Sequence, residues 1–155
     1  MQKSMQQNTV YLALGTNLGN KSENINNAIK HINKRIGKVE QVSKIIETEP
    51  WGFDSCNSFL NAVLRCKTTL TPKELLLKTQ EIEKLMGRTT KSTNKEYHDR
   101  LIDIDILLFN RTKTDIENLQ IPHPLMLERS FVIEPLKDVM PDNEYQEVLN
   151  GTFAL

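Results

Sequence analysis

Apolar residues recur along the chain in short runs and at helical spacing, and the changes between these two patterns outline the elements. Val10–Leu14 (VYLAL) is a continuous apolar run that ends at Gly15 and predicts a buried strand. Asn20 followed by Glu23 has the form of a capping box. Ile25, Ala28, Ile29, Ile32 and Ile36 then fall at helical spacing, with Gly37 as the C′ stop. Val39–Ile46 reads as a strand with a bulge or slip. Thr48–Ser58 is a loop by composition that displays Trp51 and Phe53, and Phe59–Thr68 is again a strand. Thr71-Pro72-Lys73-Glu74 spells an N-cap, a proline at the first helical position and a glutamate at N3. Leu75, Leu76, Ile82, Leu85 and Met86 form the stripe of that helix, and Gly87 closes it. Arg88–Arg100 has almost no apolar content and predicts a mobile loop. Leu101–Phe109 (LIDIDILLF) is a strand, followed by a polar connection. Ile121-Pro122-His123-Pro124 excludes a central strand or a helix interior. Leu125–Val139 predicts a helix that Pro135 should end or kink.

Strand, helix, strand, strand, helix, strand is the βαββαβ order of a ferredoxin-like α+β sandwich. Its sheet is largely antiparallel, with both main helices on one face. The other face is left for loops, a ligand and the C-terminal extension. The length of 155 residues suits a single domain over 1–155, with residues 1–8 a disordered lead-in.

Composition then removes several classes. The charges balance, 20 Lys plus Arg against 20 Asp plus Glu, which argues against bulk electrostatic binding to nucleic acid or an acidic membrane. The apolar runs are too short to span a bilayer, and the first residues lack the apolar segment of a secretion signal. Cys56 and Cys66, with no CxxC, point to neither a disulfide framework nor a cysteine zinc site. A cytoplasmic monomer is the expectation. The charge is nonetheless uneven. A basic stretch from Lys84 to Arg100 runs directly into the strand that carries Asp103 and Asp105.

That juncture holds the candidate chemistry. Side chains alternate in a strand, so Asp103 and Asp105 share one face, about 7 Å apart, while Ile102, Ile104 and Ile106 line the other. A divalent cation between the carboxylates would turn their repulsion into attraction, and Mg²⁺ typically uses one or two carboxylates plus substrate phosphates. The same pattern serves equally as the solvated face of a half-buried strand. His123, fixed between two prolines, can donate to a phosphate or bond within a rigid turn. Arg88, Lys91, Lys95 and Arg100 suit phosphate oxygens, with Tyr97 and His98 interleaved. Gln80 and Glu83 are i,i+3 neighbours that could bond a base or ribose, or simply be surface residues. Trp51, Phe53 and Phe59, with Asn61 on the same strand face as Phe59, form either a slot for a flat heterocycle or part of the core. Gly15–Asn20 lacks the pattern of a phosphate-binding loop and reads as a turn. A ferredoxin-like sheet with exposed aromatics could also stack single-stranded RNA, but no RNP1-like motif is present and the chain is not basic.

Several ordered segments together resemble the 6-hydroxymethyl-7,8-dihydropterin pyrophosphokinase family of folate biosynthesis. They are YLALGTNLGN, ETEPWG, FLNAV, LLLKTQEIEKLMGR, RLIDIDILLF and IPHPLMLERSFVIEPL, and they span about Val10 to Asp142. The resemblance implies a ferredoxin-like fold and transfer of pyrophosphate from ATP to the pterin hydroxymethyl group, releasing AMP. It implies two Mg²⁺ ions on Asp103 and Asp105. It implies a pterin pocket of Thr48, Trp51, Phe59, Asn61 and Phe131. ATP would be held by Gln80, Glu83, Arg88, Tyr97, Arg100, Ile106, His123 and Arg129, with Arg88 and Arg100 acting in catalysis. Tyr97 stands where a Trp is usual, Pro124 where an aromatic is common, and Asn118 and Gln120 where some members have Arg and Thr.

Overall fold

The computed structural model describes residues 6–49, 58–87 and 101–154. β1 (Asn8–Thr16), α1 (Lys21–Arg35), β2 (Gly37–Val42), β3 (Ile46–Thr48), β4 (Phe59–Thr68), α2 (Pro72–Leu85) and β5 (Asp103–Phe109) follow the expected order. A two-stranded hairpin of β6 (Thr114–Ile116) and β7 (Leu119–Ile121), then α3 (Ser130–Val139) and α4 (Asp142–Asn150), complete the described chain. The main sheet has the order β2-β4-β1-β5, with β3 also pairing β4, and every pairing is antiparallel. This is the ferredoxin-like α+β arrangement expected from the element order.

β1 and β4 pair without interruption from Asn8 opposite Thr68 to Thr16 opposite Leu60. Their alternation sends Val10, Leu12, Leu14, Ala62, Leu64 and Cys66 to one face, where Ile25, Ala28 and Ile32 of α1 and Leu75 and Ile82 of α2 cover them. Tyr11, Ala13 and Val63 point to the opposite face. There α3 supplies Val132, Leu136 and Val139, and α4 supplies Tyr145 and Val148. Both faces are therefore covered by helices, and the second is the work of the C-terminal extension. β5 contains one bulge: Ile106 pairs with Leu12 and Leu108 with Tyr11, so Leu107 is the extra residue. Ile104 and Ile106 pack toward α1 and α2, whereas Leu107 and Leu108 both pack toward α3 and α4.

The caps of α2 form as written in the sequence. Glu74 N donates to Thr71 Oγ1 at 3.2 Å, and Thr71 N donates back to the Glu74 carboxylate at 2.9 Å. At α1 only half of that device is present, with Glu23 N donating to Asn20 Oδ1 at 3.1 Å. Burial, with the Glu40 charge second, pushes the Cys66 thiol up to about 12, so this cysteine serves as a small core residue and not as a nucleophile.

Several expectations need correction. β1 begins at Asn8 and continues through Gly15 to Thr16, so Asn8 and Gly15 are both strand residues. Gly37 opens β2, and a Cβ there would collide with the Lys67 carbonyl. It is needed for close strand approach, not for a left-handed cap. The single strand over Val39–Ile46 is two strands. Ser43 breaks it, donating N–H to the Val63 carbonyl at 2.8 Å and accepting from Val63 N at its Oγ at 2.9 Å. Leu85 is 54% exposed and leaves the α2 stripe. Pro135 neither ends nor precedes a break in α3, which runs on to Val139 with Val132, Pro135, Leu136 and Val139 buried. Packing of that face outweighs the one helical hydrogen bond that proline removes. The break lies at Arg129 (φ −115, ψ 105), after a 3-10 turn over Met126–Glu128. The β6–β7 hairpin and α4 extend beyond what periodicity predicted. Trp51, Phe53 and the whole Arg88–Arg100 loop lie outside the described residues.

Candidate active site

A cavity of about 480 Å³ opens at the end of the sheet where Gly15, Asn61 and Asp103 stand side by side on β1, β4 and β5. α2 forms one wall with Leu76, Thr79, Gln80 and Glu83, and the α3 region forms the other with Leu125, Arg129, Phe131 and Val132. The sheet supplies the floor because odd-numbered residues of β4 and of the first part of β5 face it. Phe59 and Asn61 project from β4, Asp103 and Asp105 from β5.

Each polar group has a local reason for its position. Asn61 Nδ2 donates to Thr48 Oγ1 at 2.9 Å and to the Ile46 carbonyl at 3.3 Å across the β3–β4 pair. This fixes the amide orientation and leaves Oδ1 over Gly15, where a Cβ would stand 3.4 Å from it. The residue before Phe59 is held as well. Lys21 Nζ, at the start of α1, donates to the Ser58 carbonyl at 3.1 Å, and Ser58 Oγ donates to Glu47 at 2.7 Å.

On the far side of the cavity β5 is the edge strand. Two of its backbone groups that face away from β1 are taken by residues lining the cavity. Ile104 N donates to the Glu83 carboxylate at 2.8 Å, and His123 N donates to the Leu107 carbonyl at 3.0 Å. The Ile121–Pro122 peptide that leads into His123 is cis. His123 Nδ1 accepts from Leu125 N at 3.2 Å, so its remaining donor is Nε2–H. Burial, and then the Arg129 guanidinium, hold this imidazole below its ordinary value against the opposing pull of Asp103. The neutral ring is therefore favoured near neutral pH. Arg129 lies with its guanidinium 5.7 Å from the centre of the Phe131 ring, a cation–π contact.

Ten of the residues singled out from the sequence meet in this cavity: Thr48, Phe59, Asn61, Gln80, Glu83, Asp103, Asp105, His123, Arg129 and Phe131. Ile106 does not. It lines a neighbouring cleft with Asn118, Gln120 and Pro124, which shares Leu76, Ile104, Asp105 and His123 with the main cavity. Trp51, Arg88, Tyr97 and Arg100 lie outside the described residues. Sequence reasoning missed Gly15 as a cavity residue, although its lack of a side chain beside Asn61 is the available signal. Thr79, Leu125 and Val132 carry no chemistry that would have flagged them.

Among the described residues no group of three or more His, Cys, Asp and Glu is placed to hold a metal ion. The carboxylate pair alone, oxygen donors on one cavity wall, fits a hard cation that completes its shell with phosphate oxygens and water. Among the described residues no helix is long and apolar enough to cross a membrane.

Comparison with known proteins agrees with this geometry. The family model for 7,8-dihydro-6-hydroxymethylpterin-pyrophosphokinase matches residues 11–141. A 2-amino-4-hydroxy-6-hydroxymethyldihydropteridine pyrophosphokinase from Porphyromonas gingivalis is 47% identical over 133 residues, covering 85% of this chain and 90% of that protein. The protein of that name from Bacillus subtilis is 41% identical, covering 85% and 78%. Among solved structures, the Plasmodium falciparum HPPK-DHPS with pteroate superposes with a TM-score of 0.72 at 18% identity, covering 97% of this chain and 43% of that one; this likeness speaks for the fold. With a family model spanning most of its length and relatives this similar across most of theirs, the chain belongs to the 7,8-dihydro-6-hydroxymethylpterin-pyrophosphokinase family.

Proposed function

We propose that this cavity is where the protein transfers pyrophosphate from ATP to 6-hydroxymethyl-7,8-dihydropterin in folate biosynthesis. The observation that carries the reading is the meeting, in one cavity, of aromatic and amide side chains with carboxylates, an imidazole and a guanidinium. The flat pterin lies between Phe59 and Phe131 with its polar edge toward Asn61 Oδ1 and Thr48. Ring stacking and an oriented amide suit a heterocycle with paired donors and acceptors. The triphosphate lies toward Asp103, Asp105, His123 and Arg129, with Gln80 and the cleft beside Ile106 on the nucleotide side. Arg88 and Arg100 join the described chain at Gly87 and Leu101, and we assign them to the phosphates. Trp51 is assigned to the pterin and Tyr97 to ATP.

Asp103 and Asp105 would hold Mg²⁺. Mg²⁺ bound there neutralises phosphate charge and lowers the pKa of a hydroxyl beside it. This chain's residues then do four things. Phe59, Asn61 and Phe131 orient the hydroxymethyl group toward the β-phosphorus. His123 Nε2–H and the Arg129 guanidinium donate to phosphate oxygens. The fixed Asn61 amide and the pinned β5 keep both ends in register. Leu76 on one wall and Leu125 and Val132 on the other limit water. A bond forms between the hydroxymethyl oxygen and the β-phosphorus. The bond from that phosphorus to the α,β-bridging oxygen breaks, and AMP departs with the bridging oxygen while the hydroxyl proton is lost to solvent. Such a transfer needs positioning and charge neutralisation and no covalent protein nucleophile.

The test is direct. Purified protein incubated with ATP, Mg²⁺ and 6-hydroxymethyl-7,8-dihydropterin should yield AMP in step with the pyrophosphorylated pterin, and EDTA should stop it. ADP as the nucleotide product would overturn the reading.

A further inference from the structure

Two of the cavity residues do something besides face the ligand. β5 is bonded on one side to β1 and has its other side turned outward. On that outward side Ile104 N–H is taken by Glu83 at 2.8 Å, and the Leu107 carbonyl by His123 N–H at 3.0 Å. Ile104 sits between Asp103 and Asp105. Glu83 comes from the last turns of α2 and is only 7% exposed, so a carboxylate is spent on a backbone amide in a site with little water to replace it. α2 is in turn fixed by its capping box and by Leu75 and Ile82 in the core.

We infer that Glu83 is a positioning residue for the carboxylate pair: by holding the Ile104 amide it fixes the pitch of β5 at the point where Asp103 and Asp105 diverge toward the cavity. The inference rests on the assignment of Asp103 and Asp105 to the divalent cation. It gives Glu83 a role distinct from contact with the nucleotide, because what matters is an acceptor at the Ile104 amide and not a negative charge in the cavity. Partners that orient metal-binding side chains from behind typically change metal affinity about 10- to 100-fold when removed.

Glu83→Gln keeps an acceptor at the same length and removes the charge, while Glu83→Leu keeps the approximate volume and removes the acceptor. Two readouts separate the roles. In the metal-free protein, amide hydrogen exchange at Ile104 is followed by NMR. Separately, Mn²⁺ binding is titrated in the presence of a non-hydrolysable ATP analogue. Glu83→Leu should speed exchange at Ile104 and weaken Mn²⁺ about 10- to 100-fold. Glu83→Gln should keep the amide protected and lose much less Mn²⁺ affinity. Unchanged Ile104 protection in Glu83→Leu would overturn the inference, and so would a loss in Glu83→Gln as large as in Glu83→Leu, which would place the charge itself on the ligand. Should Glu83→Leu not fold, that equality is judged on Glu83→Gln against wild type: protected Ile104 with near-wild-type Mn²⁺ affinity supports the role, and a 10-fold loss refutes it. Failure of the underlying site assignment looks different: Asp103→Ala would then bind Mn²⁺ as wild type does, whatever Ile104 exchange shows.

Discussion

The two faces of the central sheet are built from alternate residues of the same strands, yet they are different materials. The face under α1 and α2 is closed and aliphatic, with Leu12, Leu14, Leu64, Ile82, Ile104 and Ile106 all buried. The face under α3 and α4 begins as core with Tyr11, Val63, Leu107 and Leu136, then gives way to Phe59, Asn61, Asp103, Asp105 and His123 around a cavity. In β5 the change of material occurs from one residue to the next. The lesson is a division of labour: one face supplies the stability that lets the other hold two like charges side by side.

Substitutions on the two faces of the sheet should therefore separate activity from stability. The largest effect is expected at Asp103→Ala, or equally Asp105→Ala. On the proposed assignment, losing one of two cation ligands would remove several kcal/mol of transition-state stabilisation, and about 4 kcal/mol corresponds to a roughly 10³-fold fall in turnover. The metal-free variant should keep its fold, since neither carboxylate belongs to the buried core. AMP release at the wild-type rate in both variants would break the comparison. Next in size is Leu64→Ala on the closed face, fully buried in β4. It should cost about 3 kcal/mol in urea unfolding through transfer and cavity terms, while kcat/KM at low temperature stays close to wild type. A large loss of activity in the folded variant would show that the faces are not independent.

The smallest effect is on pH and sharpens the boundary between the faces. Burial, then Arg129, depresses the His123 imidazole below its ordinary value of 6.5. The unfolded chain then binds a proton more readily than the folded one below that value. Stability contributed by the neutral ring is present above about pH 6.5 and is lost as pH falls through the depressed folded value. Melting of metal-free protein across pH 4.5–7.5 should show this acid-side loss, and His123→Gln should reduce it. An identical pH profile in that variant would mean the ring is hydrated.

The closed face was legible because local rules and tertiary packing agree there. Thr71, Pro72 and Glu74 announce α2, and the strand residues of β4 are a run that only a buried strand explains. The other face was less so. Pro135 is a helix breaker locally, and only the packing of Val132, Leu136 and Val139 against the sheet shows that it is tolerated. α4 has no side-chain cap to mark its start. The β6–β7 strands are three residues each, too short for alternation to register, and their turn depends on Asn118 at φ 66. In the site, Asp103 and Asp105 were visible as a period-two pair and His123 as a residue held between prolines. The roles of Gly15, of Thr79 and of Glu83 on the Ile104 amide depend on contacts between residues distant in sequence, which spacing does not encode.

The extra residue at Leu107 has a bearing on how such a strand can change over time. A pleated strand works as a ratchet of period two, so inserting or deleting one residue in an unbroken strand turns over every side chain on one side of the change. In β5 the phase of Asp103 and Asp105 is set by pairing with Gly15 and Ala13, and that of Leu108 by pairing with Tyr11 beyond the bulge. The two halves keep time separately. Residues from Leu108 toward the turn at Asn110 can be respaced without rotating the carboxylates out of the cavity, so the apolar half of the strand is free to drift while the acidic half stays in step.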